Sequence, residues 1–303
     1  MSTEMAVKVF RTLESKDIRT LTGLELSMSR HEYAPAEEIA KFANLLLDET
    51  RFRLRRLHRM GLIRRASAEF LGYEGYTINY VGYDCLALNY LVKSGVVEAI
   101  GKPLGVGKEA DVYDALSPRG RRIAIKFHRL GRVSFRQTRR ARGYVAERRH
   151  ISWLYQSRLA AEREYQALKL VYPRKVAVPK PIAQNRHAIV TSFIDGVELN
   201  QYVKVPKPRI VLRDILSNVR KAYLEAGVIH ADLSEFNVLL KPSGRVLIID
   251  WPQYITRDHP NAWQILVRDV KNVLTYFRRK FDVKLPLEEA LSYVKGDKRR
   301  LTY

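Results

Sequence analysis

Apolar positions recur at a loosely helical spacing through Ile18, Leu21, Leu24 and Leu26, which predicts a helix beginning near Lys16. Pro35 then opens a second, short predicted helix reaching Ala43, at the first helical position, where a missing N–H costs nothing. A third helix, about Leu46 to Met60, turns Leu47, Leu54 and Leu57 inward and is stopped by Gly61. Leu62 to Asn79 reads as two short strands with a turn at Gly72 to Gly75 and aromatic bulk from Tyr73, Tyr76 and Tyr80. Three helices and a hairpin outline a winged helix. Asp84 to Lys93 reads as a connecting helix ended by Gly95.

Beyond Gly95 the pattern changes. Val96 to Ile100 reads as a strand, Gly101 to Gly107 as a glycine-rich loop, and Ile123 to Phe127 as a short apolar strand bearing one lysine. His128 to Leu170 tolerates helix and is rich in arginine, Val176 to Ile182 is a proline-marked loop at an edge, and Ala188 to Ile194 is a buried type of strand. A helix from Pro208 to Ala226, a strand from Val246 to Ile249 and a helical region from Ala262 to Lys295 complete the chain.

Charge narrows the partners. The net charge is +22 on 303 residues, and between residues 119 and 163 only Glu147 and Glu162 stand against a run of arginines. Such an excess favours polyanions, with RNA ahead of a membrane surface because no amphipathic basic helix with an aromatic face is evident there. Arg51, Arg53, Arg55, Arg56 and Arg59 on the third helix, followed by Arg64 and Arg65, are expected to be exposed and to contact nucleic-acid phosphates. A solvated basic face on a docking module is the bland alternative. No apolar run is long enough to span a bilayer, and Met1 to Phe10 has no secretory pattern. Cys85, the single cysteine, sits among Leu86, Ala87 and Leu88 as a buried, inert thiol. A reducing, cytoplasmic location is expected.

Four separated stretches carry candidate chemistry. Gly105, Gly107, Lys108, Glu109, Ala110 and Val112 approach the glycine-rich pattern that covers phosphates in kinases, with Ala110 at the third glycine; this is not a Walker loop, since no Ser or Thr follows Lys108. Lys126 ends Ile123-Ala124-Ile125-Lys126 on an apolar strand, where burying an ammonium is costly without an anion. It also needs a carboxylate, and Glu162 and Glu164 are the candidates, with Glu164 preferred. His230-Ala231-Asp232-Leu233-Ser234-Glu235-Phe236-Asn237 fits the kinase catalytic loop apart from Ala231, with Asp232 to orient an attacking hydroxyl and Asn237 to hold a metal ion. Asp250, after Ile248-Ile249 and before Trp251-Pro252, stands where kinases place a second metal-binding aspartate. Pro252 in place of glycine restricts Trp251, so less flipping of this segment is expected. The predicted class is α+β: a winged-helix domain over 1–83, a linker helix over 84–95, and a compact bilobal kinase-like domain over 96–303, its lobes about 96–191 and 195–303. Among other polar residues, Ser134 and Thr138 could accept phosphate, and His58, His128, His150 and His187 form no metal-binding spacing with the cysteine.

At these residues the chain resembles the Rio family of atypical serine/threonine kinases, and specifically its winged-helix-bearing type-2 branch. The likeness is carried by Tyr73 to Gly95, by Gly107 to Val112 and by Ile249-Asp250-Trp251-Pro252-Gln253. The resemblance implies a flexible loop at about Leu130 to Ile151, and adenine binding by the backbone of Ser192, Phe193 and Ile194. Ser192 stands where the family usually has Glu, which removes a side-chain anchor. The resemblance also implies ATP with Mg2+ (Mn2+ as an alternative), an aspartyl-phosphate on Asp250, and ATPase as well as kinase activity. The partners it implies are pre-ribosomal RNA and the precursor of the small ribosomal subunit, with a protein phosphoacceptor that includes the chain itself. Independently, no A-P-E triplet follows Asp250, and Ala231 replaces the arginine that would clasp an activation-loop phosphate. Control through such a loop is not expected. Two rivals remain: a small-molecule phosphotransferase of the aminoglycoside-kinase kind, and a winged-helix regulator with an inactive nucleotide domain.

Overall fold

The computed structural model describes residues 2–131 and 153–302. The loop expected at Leu130 to Ile151 falls, beyond Gly131, outside the described residues, as do Ser134, Thr138 and His150.

The N-terminal part runs α1 (Ser2–Phe10), α2 (Ser15–Ser27), β1 (Ala34–Pro35), α3 (Ala36–Ala43), α4 (Leu47–Arg59), β2 (Ile63–Ala66), a single turn α5 (Ala68–Leu71), β3 (Gly75–Ile78) and α6 (Tyr80–Lys93). The strands form one antiparallel sheet in the order β1-β3-β2, so the winged-helix outline is present. Leu21, Leu24, Ile39, Leu54, Leu57, Leu62 and Ile78 fill its core. Three local details differ from expectation. Pro35 is extended (φ −72°, ψ 150°) and pairs with Gly75, so the helix starts one residue later. The hairpin connection contains the α5 turn, closed by Gly72 at φ 78°. The connecting helix begins at Tyr80 because the Asn79 side chain accepts hydrogen bonds from the N–H groups of Val81 (2.9 Å) and Gly82 (3.2 Å).

Helix α6 serves two cores. Its Cys85 and Leu86 pack with the winged-helix residues, whereas Ala87, Leu88 and Leu91 pack against the following sheet. Burial pushes the Cys85 thiol well above its ordinary pKa, in keeping with an inert side chain.

That sheet comprises β4 (Ala99–Val106), β5 (Ala110–Leu116), β6 (Arg122–His128), β7 (Pro181–Asn185) and β8 (Ala188–Ser192), antiparallel in the order β4-β5-β6-β8-β7, with helix α7 (Trp153–Val171) packed on it. Much of the expected glycine-rich loop is strand: Gly101 to Val106 lie in β4, with register shifts on either side of Pro103, and Gly107 to Glu109 make the turn. A second lobe holds β9 (Val197–Glu198), α8 (Pro208–Leu224), β10 (Val228–Ile229), β11 (Val238–Leu240), β12 (Val246–Ile248), β13 (Ile255–Thr256), α9 (Ala262–Phe281) and α10 (Leu287–Lys295). The last helical region is thus two helices, divided by Asp282 at φ 51° and by Pro286.

A buried charge network joins the winged helix to the sheet. Arg129, just past β6, is 1% exposed. It donates to both carboxylate oxygens of Asp84 on α6 (2.7 Å each), to Asp111 on β5 (3.0 Å) and to the Thr3 hydroxyl on α1 (2.6 Å). Its own backbone N–H donates to the Glu109 carbonyl at 2.6 Å. His187, in the turn between β7 and β8, lies 2.7 Å from Asp84 through Nε2 and stacks on Tyr83. Its Nδ1 has no partner among the described residues, and the same Nε2 lies 2.9 Å from Arg129 Nη1, so the ring is wedged between Asp84 and Arg129 through one nitrogen. Burial pulls the His187 pKa from its ordinary 6.5 down to about 4. Burial also opposes the charge on Asp84, but Arg129 and His187 outweigh it and lower the Asp84 pKa.

Removing one member of such a pair leaves the other buried and uncompensated. Asp84→Ala is therefore expected to cost about 3–5 kcal/mol in urea unfolding. The unfolded chain protonates His187 before the folded one does, so folding loses stability as pH falls from 6.5 toward 4. His187→Gln should reduce that pH dependence relative to the parent, measured as the difference in urea midpoints across this window.

Candidate active site

Strand β6 alternates: Ile123, Ile125 and Phe127 point into the core, and Lys126 faces the other way. Lying between β5 and β8, the strand is anchored on both sides, with Val112 directly opposite Lys126. Glu164 sits on the buried stripe of α7 with Ala160, Ala161, Ala167 and Leu168. Glu162 faces outward and pairs with Arg158 at 2.8 Å, which settles the choice between the two glutamates.

Lys126 Nζ donates to Glu164 Oε2 (2.7 Å) and Oε1 (3.0 Å) and to Asp250 Oδ1 (2.7 Å). Burial works against the ammonium, but the carboxylates of Asp250 and Glu164 overcome it and hold its pKa well above the ordinary value. Burial likewise opposes ionisation of Glu164 and Asp250, yet Lys126 keeps both below the usual carboxylate range. His128 Nε2 adds a contact 2.9 Å from Glu164 Oε2, close enough for an ion pair although not directed as a hydrogen bond. The Asp250 side chain remains 42% exposed.

The loop carrying Asp232 is held from beneath. Ala231 (φ 66°) and Asp250 (φ 67°) both occupy the left-handed region, where a non-glycine residue needs support from its surroundings. Asp269 on α9, buried, accepts from the Ala231 N–H at 2.7 Å, and Arg268 donates to the Ala231 carbonyl. Burial raises the Asp269 pKa to about 6. His230 Nε2 donates to the Ile249 carbonyl (2.9 Å), and its Nδ1 accepts from the Asp232 N–H (3.3 Å). Burial lowers its pKa, so this neutral ring links the two motifs. Asn237 Nδ2 donates to the Asp232 carbonyl at 2.7 Å, and its own carbonyl accepts from the Ile249 N–H at 2.9 Å. The Asp232 side chain is exposed.

After Asp250, Trp251 is 1% exposed and donates through Nε1 to the Ile248 carbonyl at 3.2 Å. Arg163 on α7 donates to the carbonyls of Pro252 (3.0 Å) and Tyr254 (2.6 Å). These contacts agree with a segment that resists flipping.

In the glycine turn, a Cβ on Gly105 would meet nothing, and one on Gly107 would meet only the Ala110 carbonyl at 3.3 Å. Neither residue has a positive φ. Folding alone does not require glycine at 105, and the space above the strand there is open. Lys108 and Glu109 are exposed beside it, and Ala110 starts β5. At the lobe connection, Ser192 exchanges two hydrogen bonds with Lys180: its N–H donates to the Lys180 carbonyl (2.9 Å), and its Oγ accepts from the Lys180 N–H (3.0 Å). Phe193 lies 3.6 Å beneath the Arg122 guanidinium. No hydrogen bond to the backbone of Phe193 or Ile194 forms among the described residues.

The basic helix does not present all its arginines. Arg53 shares the buried stripe of α4 with Thr50, Leu54 and Leu57, and is bound by Glu49 (2.7 Å), Glu14 (2.7 Å) and Asp17 (3.3 Å). It is a structural ion-pair centre, contrary to the exposed role expected of it. Arg56 is half-buried and engages Asp17 (3.2 Å) and the Thr12 carbonyl (2.8 Å). Arg51 pairs with Glu37 (2.8 Å) and Arg65 with Glu74 (2.7 Å), both on the surface. Arg55, Arg59 and Arg64 are exposed and form no ion pair among the described residues.

A strand-borne ammonium between two carboxylates, a braced Asp–Asn loop and an open glycine turn define a protein-kinase-like phosphotransfer site, here behind a winged helix. Residues 111–290 match the RIO domain family, and residues 10–94 match the Rio2 N-terminal family. The chain is 42% identical to the RIO-type serine/threonine-protein kinase Rio2 of Methanocaldococcus jannaschii, over 88% of this chain and 99% of that protein. It is 35% identical to the serine/threonine-protein kinase rio2 of Schizosaccharomyces pombe, over 92% of this chain and 80% of that one. The crystal structure of the Rio2 kinase-ADP/Mg2+-phosphoaspartate complex from Chaetomium thermophilum matches with a TM-score of 0.81 at 35% identity, covering 96% of this chain and 90% of that one. The chain belongs to the RIO family, on its Rio2 branch, and is an atypical serine/threonine protein kinase.

Loss of the two charge-assisted bonds from Arg163 should loosen the segment after Asp250. Arg163→Ala is expected to speed amide hydrogen exchange over Trp251 to Thr256 by about 10-fold or more, since bonds to a charged group contribute roughly 1.5–3 kcal/mol. Mass spectrometry of the exchanged peptides would check this.

Proposed function

We propose that this kinase uses ATP with Mg2+ as both a phosphotransferase and an ATPase, and that it acts on the maturing small ribosomal subunit by associating with pre-ribosomal RNA. The observation that carries the catalytic part is the position of Lys126, 2.7 Å from Glu164 and 2.7 Å from Asp250. Glu164 holds the ammonium toward the α- and β-phosphates. Gly105, Gly107, Lys108, Glu109, Ala110 and Val112 cover the triphosphate, and the free backbone groups of Phe193 and Ile194, next to Ser192, receive the adenine.

The donor set suits a hard divalent ion. Asn237 commits its Nδ2 to the Asp232 carbonyl, which leaves Oδ1, and the half-exposed Asp250 contributes a carboxylate oxygen. One amide and one carboxylate oxygen, completed by phosphates and water, match what Mg2+ prefers, with Mn2+ as an alternative. When bound, the ion neutralises phosphate charge. Asp232 orients the attacking hydroxyl of a protein acceptor, the chain itself among the candidates. In the ATPase cycle an Asp250 carboxylate oxygen bonds to the γ-phosphorus as its bond to the β,γ-bridging oxygen breaks and ADP leaves. Water then hydrolyses the acyl phosphate, releasing phosphate and restoring Asp250. The phosphoaspartate of the Chaetomium thermophilum relative supports this step.

The RNA part is supported by the net charge of +22 and by the exposed arginines of the winged helix that form no ion pair among the described residues, and the ribosomal part follows from what the type-2 resemblance implies. No helix among the described residues is long and apolar enough to cross a membrane.

With γ-labelled ATP, Asp232→Ala is expected to lower phosphoryl transfer roughly 10²-fold or more, the scale of a lost proton-handling group. Asp250→Asn should abolish the alkali-labile, hydroxylamine-sensitive label on the chain. Co-sedimentation with small-subunit precursors should persist in both variants. Transfer to an aminoglycoside by a protein that ignores RNA would instead identify a small-molecule kinase, and a parent chain without turnover would identify an inactive nucleotide domain.

A further inference from the structure

The winged helix contains a cleft that the catalytic reading leaves unused. Its volume is about 450 Å³, and Arg55, His58, Arg59, Arg65 and Tyr76 line it. Arg55 and Arg59 are one helical turn apart on the C-terminal half of α4, and Arg65 and Tyr76 face them from β2 and β3, where they are cross-strand partners. The cleft therefore lies between the helix that a winged helix presents to nucleic acid and the adjoining hairpin.

The charge is concentrated there by subtraction. Arg51, Arg53 and Arg56 are drawn into pairs with Glu37, Glu49, Glu14 and Asp17, whereas Arg55 and Arg59 form no ion pair among the described residues. Among the described residues the carboxylate paired with the group is Glu74, which accepts from Arg65 Nε at 2.7 Å and from the Tyr76 hydroxyl. His58 places Nδ1 3.3 Å from the Ile63 carbonyl, leaving Nε2 uncommitted. Guanidinium forks match phosphate oxygens in geometry as well as in charge, so a phosphate can take the place Glu74 now holds on Arg65.

The shape narrows the ligand further. Reading a duplex groove calls for side chains that protrude from the helix. A hollow of about 450 Å³ instead falls within the range of small-ligand sites, large enough for one nucleotide and too large for a phosphate alone. We infer that the cleft between α4 and the β2–β3 hairpin receives a single nucleotide of single-stranded RNA, with its phosphate against Arg55, Arg59 and Arg65. This rests on the reading that the chain associates with RNA, and it adds which strand state is bound and by which side chains.

The test is fluorescence anisotropy with the full chain, using a short single-stranded oligoribonucleotide and an RNA duplex of equal length. A double Arg55→Ala, Arg59→Ala variant should bind the single strand at least tenfold more weakly. Its log–log salt slope should fall by about 1.4, at ~0.7 per lost phosphate contact to a single strand. A double Arg30→Ala, Lys41→Ala variant removes the same charge elsewhere on the winged helix and should stay within twofold of the parent. Both pairs are exposed, and unchanged melting midpoints would confirm intact folding. If the parent binds RNA but the two doubles lose affinity equally, or the duplex binds as tightly as the single strand, the cleft assignment is overturned while RNA association stands. A polyglutamate peptide that displaces the RNA at lower concentration than RNA itself would also overturn it, in favour of an acidic protein partner. A parent that binds no RNA overturns both readings.

Discussion

One buried guanidinium ties this molecule together. Arg129 sits where helices α1 and α6 meet strands β5 and β6, and it answers two buried carboxylates, Asp84 and Asp111. A lone charge in such a place would be prohibitive; two carboxylates, a hydroxyl and a histidine make it tolerable only while all of them stay in position. The winged helix is thereby held against the sheet by directional bonds as well as by apolar packing. The Arg129 N–H also fixes the Glu109 carbonyl, so the same residue anchors the far side of the glycine turn. Three residues earlier on the same chain, Lys126 meets Glu164 and Asp250. Interdomain geometry and phosphate-site geometry therefore share one short length of backbone.

The site itself is a set of charges that would be unfavourable singly. Lys126 keeps two carboxylates ionised in a partly desolvated cleft, and they keep it protonated. Behind them a second set of side chains bonds to backbone groups rather than to other side chains: Asp269 and Arg268 grip the N–H and carbonyl of Ala231, and His230 spans from Asp232 to Ile249. This support lets two non-glycine residues remain at positive φ within the two motifs. Ala231 cannot clasp a phosphorylated segment, and the contacts of its backbone provide rigidity of another origin.

Much of this was legible in the chain because the informative residues form short local patterns. The lysine on its apolar strand, the Asp–Asn loop and the aspartate after Ile248-Ile249 each stand in a fixed local context, and their order along the chain specifies the fold. The outline of the winged helix is readable from periodicity, although α1 is not, and Asn79 is a recognisable capping signal for the start of α6. What stayed hidden depends on pairing across long separations. Arg53 looks like its neighbours until helical phase sets it beside Thr50 and Leu57, facing Glu14 and Asp17. Glu162 and Glu164 differ only in the side of α7 they occupy. Asp269, Arg163 and the Asp84–Arg129–His187 cluster have no local pattern at all, since each gains its partners from elements far away in sequence.

Helix α6 imposes a limit on how the chain can be divided. Because one rod contributes Cys85 and Leu86 to one core and Ala87, Leu88 and Leu91 to the other, no boundary within it leaves two finished surfaces. A fragment cut before the helix would lack the apolar lid of the N-terminal module, and one cut after it would bare the back of the β-sheet. Separating the two modules would therefore bare apolar surface on one of them wherever the cut is made.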